Sequence, residues 1–327
     1  ADAIVIGEGE PLWPQLLKDF QIGKLQQVYD SRSVGFDLSD SPMPRFELLN
    51  TDQYNRLTVQ TQRGCPYCCD FCASSIRISP TYKVKPVDLI LEEIRRIKEI
   101  WPAPFIEFAD DNSFVNKVHA KRLLTALRKE NIRWFTETDI SIANDTELLD
   151  MMRDSGCAQV LIGLESPAAS GLDGIEQKAN WKLKQLDEYH NAIERIQSRG
   201  ITVDGCFVLG LDNTFSESFN DVSQFVKTSG LYDVQITIMT PFPGTPLYDR
   251  LHQEGRILEE GAWELCTLFD VNFRPDKMSS KELEDGFRDL AENLYSEEAT
   301  HSRHNHFRQQ FRRSLRSRQP VEQDEIV

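Results

Sequence analysis

The 327-residue chain carries 37 basic and 52 acidic side chains, a formal charge of −15, and 40% of its residues are hydrophobic. That length buries a substantial core, and the acidic balance argues against broad contact with nucleic acid or anionic membrane, so no nucleic-acid partner is expected. No apolar run approaches the roughly 18 residues of a membrane helix and no signal-peptide pattern opens the chain, which therefore reads as a cytoplasmic protein without a transmembrane segment.

The first stretch, DAIVIGEGE, lies inside a strand pattern, and Ala1 stands where an initiator methionine would be, so an upstream segment is expected. A helix pattern, PLWPQLLKDF, and an irregular linker, GFDLSDSPMPRFELLN, fill the rest of residues 1–50. Six apolar, β-branched runs then recur, at 56–62, 105–111, 133–140, 159–166, 201–210 and 232–240. Amphipathic helix patterns separate them. Pro86 suits the first turn of one; another carries Asn144 and Glu147 as a capping box with Gly156 as its stop. Thr245 and Pro246 open a further helix after TPFPGTPLY, for which a structural role suffices. Apolar strands alternating with helices predict an α/β fold with a parallel sheet, either a partial barrel or a doubly wound sheet, whose chemistry sits at the C-terminal strand ends.

Beyond residue 250 the pattern is helical, with Ser280 and Glu282 near one start. Residues 301–318 are basic and read as a solvated helix that frays into the acidic end QPVEQDEIV, with no function assigned.

Four of the seven cysteines crowd into RGCPYCCDFCAS, residues 63–74. In a chain without secretion signals such a cluster points to metal or redox chemistry rather than to a disulfide framework. A zinc site would need its ligand pairs to approach from two directions, and four ligands in eight residues strain against that. A thioredoxin-like pair, Cys65 with Cys68 or Cys69 with Cys72, belongs at the start of a helix in a smaller fold. The third reading takes Cys65, Cys69 and Cys72 as three thiolates around an iron–sulfur cluster that leaves one iron open. Cys157, Cys206 and Cys266 stand alone and read as small buried hydrophobes.

C-x3-C-x2-C with Phe71 before its last cysteine, closing the first of six βα units, resembles the signature of radical S-adenosylmethionine (radical SAM) enzymes over about residues 54–245. The resemblance implies a partial (β/α)6 barrel and a [4Fe–4S] cluster on Cys65, Cys69 and Cys72. It also implies S-adenosylmethionine bound at the open iron and a low-potential electron donor such as ferredoxin or flavodoxin. Reductive cleavage would then yield methionine and a 5′-deoxyadenosyl radical that abstracts hydrogen from a small-molecule substrate. Cys68 is open as a fourth thiolate, a substitute ligand or a bystander, and is taken as a bystander.

The same resemblance places cofactor contacts at strand ends. ADDN supplies Ala109, Asp110 and Asp111 toward the methionine amino end, with helix capping as the alternative; along a strand Asp110 and Asp111 point to opposite sides. Glu137, Glu165 and Ser166 fall where relatives contact ribose, and Gly210 falls in the segment that lies along adenine.

DAIVIGEGE with its helix is similar to the end of the cobalamin-binding domain that precedes many such enzymes, and FDVNFRPDKMSSKELEDGF is similar to an extension in relatives that include hopanoid methylases. This divides the chain into an N-terminal remnant (1–50), a radical SAM core (51–245) and a mostly helical extension (246–327). It implies cobalamin as a further cofactor and methyl transfer to carbon as the reaction, although the D-x-H-x-x-G motif is absent. Cyclisation, rearrangement and methylthiolation stay open, as does a non-catalytic iron–sulfur electron carrier.

Overall fold

The computed structural model describes residues 1–67, 69–74, 81–176 and 180–318. The N-terminal strand pattern forms β1 (Ile4–Ile6), which leads through α1 (Trp13–Gln21) to a second short strand, β2 (Val28–Asp30). The two strands pair in parallel. β2 was not foreseen, because three residues are too few to show a period. Trp13, Phe20, Ile22 and Ile4 of this unit are exposed.

The six apolar runs become β3 (Leu57–Val59), β6 (Phe105–Phe108), β7 (Arg133–Thr138), β8 (Cys157–Glu165), β9 (Thr202–Leu209) and β10 (Asp233–Ile238). They form one six-stranded sheet in the order β10-β9-β8-β7-β6-β3, and every pairing is parallel. Between β3 and β6 lie β4 (Gln62–Arg63), β5 (Lys83–Val84) and α2 (Val87–Ile100); β4 and β5 pair antiparallel. The remaining crossovers carry α3 (Lys117–Leu127), α4 (Thr146–Asp154), then α5 (Ala169–Leu172), α6 (Trp181–Gln185) and α7 (Tyr189–Gln197), then α8 (Glu217–Ser229).

The helices form because their apolar residues recur at helical spacing: α2 buries Ile90, Leu91, Ile94 and Ile97. Along β9, Val203, Phe207 and Leu209 are buried at every second position, which leaves Asp204 and Cys206 on the opposite, inner face. One core joins the strands to the helices, with Trp134, Tyr189 and Phe207 among its largest buried side chains.

Two caps shift by one residue from expectation. Asn144 ends a 3-10 turn, so Asp145 caps α4, its carboxylate accepting from the Leu148 amide at 2.9 Å. After α9 (Pro246–Gln253), which Thr245 caps as expected, α10 (Ser280–Leu294) is capped by Ser279, which forms the box with Glu282.

α11 (Glu297–Arg318) corrects the reading of the basic segment as merely solvated. Arg303 is buried and donates to the Leu294 carbonyl at 2.7 Å, and His304 stacks on Tyr232 with ring centres 4.1 Å apart. Phe311 covers Gly200, where an added Cβ would stand 2.8 Å from the ring. Arg308, Arg312, Arg313 and Arg316 stay exposed. The expected frayed end from residue 319 lies outside the described residues. The C-terminal region also covers the outer edge of β10: the Ile236 amide donates to the Tyr295 hydroxyl and the Ile238 amide to the Leu268 carbonyl. Among the described residues no helix is long and apolar enough to cross a membrane.

Candidate functional site

The cysteine loop leaves β4 at the C-terminal edge of the sheet and is pinned from several sides. Gly64, at φ +81°, donates its amide to Asp111 Oδ2 at 3.0 Å. Cys69 forms an antiparallel bridge with Glu176, and the Asp70 amide donates to the Ile175 carbonyl at 3.1 Å. On the other side the Leu247 amide, in the first turn of α9, donates to the Asp70 carbonyl at 3.1 Å. Arg250 of the same helix reaches Asp70 at 3.6 Å and Asp212 at 2.6 Å. The TPFPGTPLY segment is thus structural, and what it structures is the cysteine loop.

Cys65, Cys69 and Cys72 line one cavity of about 280 Å³. Burial pushes the Cys65 thiol up to about 11 and the Cys69 thiol up to about 12, so both are protonated at neutral pH until a cation displaces the proton. Among the described residues no three His, Cys, Asp or Glu side chains converge on a single-ion site. Three soft thiols of one loop at one cavity suit a multi-iron cluster, in which each thiol serves a different iron. Cys68 lies outside the described residues.

Of the residues expected here, Phe71, Asp111, Glu137 and Glu165 line the cavity. Burial, reinforced by Glu107, Asp111, Asp110 and Asp204, pushes the Glu137 carboxyl up to about 7. Ala109, Asp110, Ser166 and Gly210 do not line it. The Ala109 amide extends the pairing of β3 and β6 by donating to Val59. Asp110 is buried and accepts from the Thr61 and Gln62 amides and from the Thr61 and Ser113 hydroxyls, which leaves its carboxylate no capacity for a ligand. Asp110 is spent within the fold, whereas Asp111 lines the cavity. Neither caps α3, which Asn116 caps. The Ser166 hydroxyl turns to the Ala168 backbone. Gly210, at φ +82°, faces Leu283 of α10, 2.7 Å from where a Cβ would stand.

Several lining residues carried no motif signal. Lys182 is paired with Glu165 at 2.6 Å and donates to the Gly163 carbonyl at 2.8 Å. Burial opposes its charge, but Glu165 and Cys69 outweigh that and raise its pKa. Trp181 stacks on Tyr67 with ring centres 6.2 Å apart. Cys206, expected to be a core residue, instead lines the cavity. Five carboxylates, those of Asp111, Glu137, Asp139, Glu165 and Glu176, face one amine among the described lining residues.

A family model described as the radical SAM superfamily matches residues 59–226, just over half of the chain. The chain belongs to the radical SAM superfamily. Membership implies a [4Fe–4S] cluster and S-adenosylmethionine, and the donor set described above fits them. A second model, described as a domain of unknown function (DUF4070), matches residues 245–326.

Bacteriochlorophyllide d C-12(1)-methyltransferase of Chlorobaculum tepidum is 24% identical over 299 residues, covering 90% of this radical SAM chain and 64% of the relative. Hopanoid C-2 methylase of Rhodopseudomonas palustris is 28% identical over 257 residues, covering 77% and 48%. The chain therefore spans between about half and two thirds of the length of these curated relatives. Among solved structures, the radical S-adenosylmethionine methyltransferase TsrM from Kitasatospora setae, with cobalamin and a [4Fe–4S] cluster bound, aligns with a TM-score of 0.56 at 16% identity, covering 73% of this chain and 48% of TsrM. That likeness is one of fold, and it makes the six-stranded sheet a partial barrel.

Proposed function

We propose that Cys65, Cys69 and Cys72 hold a [4Fe–4S] cluster and that S-adenosylmethionine seats beside it with its carboxylate toward Lys182. One observation carries the reading: a single cavity at the C-terminal strand ends presents the three thiols of one loop, a fourth from Cys206 of β9, a ring of carboxylates and one amine. S-adenosylmethionine bears a sulfonium, an ammonium and one carboxylate, so an acidic cavity with a lone cation matches it in sign. Of the three ammonium protons of Lys182, two are used by Glu165 and Gly163. The third has no partner among the described residues and can meet a ligand carboxylate. Asp111, Glu137 and Asp139 are then the acceptors for the ammonium and ribose hydroxyls. When bound, the cluster and S-adenosylmethionine supply a reductive cleavage whose 5′-deoxyadenosyl radical removes hydrogen from a substrate. Tyr67 and Trp181, stacked on each other, form part of the wall around that chemistry.

For the full-length protein we read the reaction as transfer of a methyl group to carbon, with cobalamin as carrier, ferredoxin or flavodoxin as electron donor, a small-molecule substrate and a cytoplasmic setting. The names of the relatives support the methyl transfer, and the cobalamin bound in TsrM supports the carrier.

The test is anaerobic reconstitution. The parent should take up about four irons with matching sulfide and form 5′-deoxyadenosine on reduction, whereas Cys65→Ala, Cys69→Ala and Cys72→Ala should each lose the cluster. Lys182→Gln should keep its iron yet bind S-adenosylmethionine about tenfold more weakly by calorimetry, with Lys182→Arg restoring part of the affinity. Full iron in Cys69→Ala, or a parent with a stable cluster and no deoxyadenosine, would sink the assignment.

A further inference from the structure

β4 and β5 frame the cysteine loop: the chain leaves the ribbon at Arg63, runs through the three cysteines, and returns at Lys83. In this antiparallel pair Arg63 lies directly opposite Lys83. Two like charges facing each other across strands push the strands apart. Here the repulsion is cancelled from outside the core. Glu8 accepts from Arg63 Nη1 at 3.0 Å with one carboxylate oxygen and from Lys83 Nζ at 2.6 Å with the other. Glu10 accepts from Arg63 Nη2 at 2.6 Å. The four side chains are 18% to 27% exposed, so the charges are partly withdrawn from solvent and weakly screened.

The acidic loop is itself fixed. Gly7 adopts φ +91°, where a Cβ would stand 2.7 Å from the Ser31 hydroxyl, and that hydroxyl donates to the Glu8 carbonyl at 2.6 Å. Lys83 also donates to the Phe36 carbonyl at 2.7 Å, so the cations are tied to the N-terminal unit at two places.

We infer that Glu8, with Glu10, is a positioning residue for the cluster: by neutralising the Arg63–Lys83 pair it holds the β4–β5 ribbon closed and thereby fixes the ends of the cysteine loop. The inference rests on the reading that Cys65, Cys69 and Cys72 hold the cluster. It gives the GEGE segment a task in the core. Removing Glu8 does more than delete two hydrogen bonds, because it leaves Lys83 facing Arg63 at the root of the loop with Glu10 alone to offset the pair.

The experiment compares the parent with Glu8→Gln, Glu8→Gln/Lys83→Gln and Glu10→Gln. In the unloaded proteins, hydrogen exchange of peptides covering residues 60–66 and 81–86 should be about tenfold faster in Glu8→Gln. It should return to near the parental rate in the double variant, which removes the like-charge pair. In the reconstituted proteins, the release of iron to a chelator should follow the same order. Glu10→Gln, which removes one contact and leaves Glu8 in place, should shift both readouts less, and it serves as the main comparison if Glu8→Gln folds poorly. Unchanged exchange in Glu8→Gln overturns the inference. So does faster exchange without faster iron release, or a double variant no slower than the single one. A parent that takes up no iron would refute the cluster reading instead, and the exchange arm would still decide whether the acidic loop holds the ribbon.

Discussion

Asp204 combines burial with an incomplete set of partners. It is 7% exposed on the inner face of β9, its Oδ2 accepts from Gln235 at 2.9 Å, and its Oδ1 is buried without a partner among the described residues. Burial, helped by Asp233, pushes its carboxyl up to about 6 from an ordinary 3.8. The folded state therefore favours the proton. The stability that this contributes is fully present below pH 3.8 and is lost as the pH rises through 6. Asp204→Asn keeps the acceptor for Gln235 and removes the ionisation. Its unfolding free energy should exceed that of the parent by a margin growing by up to about 2 kcal/mol between pH 4.5 and 7.5, measured by urea titration of the unloaded protein. A margin that does not change with pH would show that the carboxylate is solvated. At this same scale the grouping of Cys65, Cys69 and Cys72 at one cavity was legible, because spacing within one loop is local information. Lys182 was not, because its role exists only once α6 is folded over β8. Cys206 looked apolar because alternation along a strand does not say which face turns inward.

Among the elements, the pairing of α10 with α8 depends on an absence. Gly286 sits in mid-helix, where glycine ordinarily costs about 0.5–1 kcal/mol relative to alanine. An added Cβ would stand 2.3 Å from the Phe219 ring of α8. The glycine is the gap into which that ring packs. Gly286→Ala should therefore lower stability by about 1–3 kcal/mol in spite of its better helix propensity, and Gly286→Ala/Phe219→Leu should recover most of the loss in thermal unfolding. A stabilised single variant would show that the helices can move apart at no cost. The elements themselves were well indicated, since six β-branched runs and their amphipathic partners state their periods openly. The caps were legible only to within a residue, because Asn144 and Asp145, and likewise Ser279 and Ser280, are adjacent residues of equal capping ability. The basic helix was misjudged because composition weighted its arginines above Phe307, which packs edge-on against Tyr232, and Phe311, which covers Gly200.

For the molecule as a whole, the cysteine loop is the place where distant parts of the chain meet. Its entrance is held by Glu8 and Asp110, and its middle by Ile175 and Glu176 on one side and by Leu247 and Arg250 on the other. None of these partners was legible from the loop's own sequence, since each contact is long-range and only the fold brings it into reach. The arrangement also fixes an order of events during synthesis. When the cysteines leave the ribosome, the helix that secures Asp70 has not yet been made, and the thiols stay unframed until Arg250 has followed and folded. On the proposed reading that these thiols hold the cluster, its insertion is a late, post-translational step, and the interval before it is when the thiols are most open to oxidation.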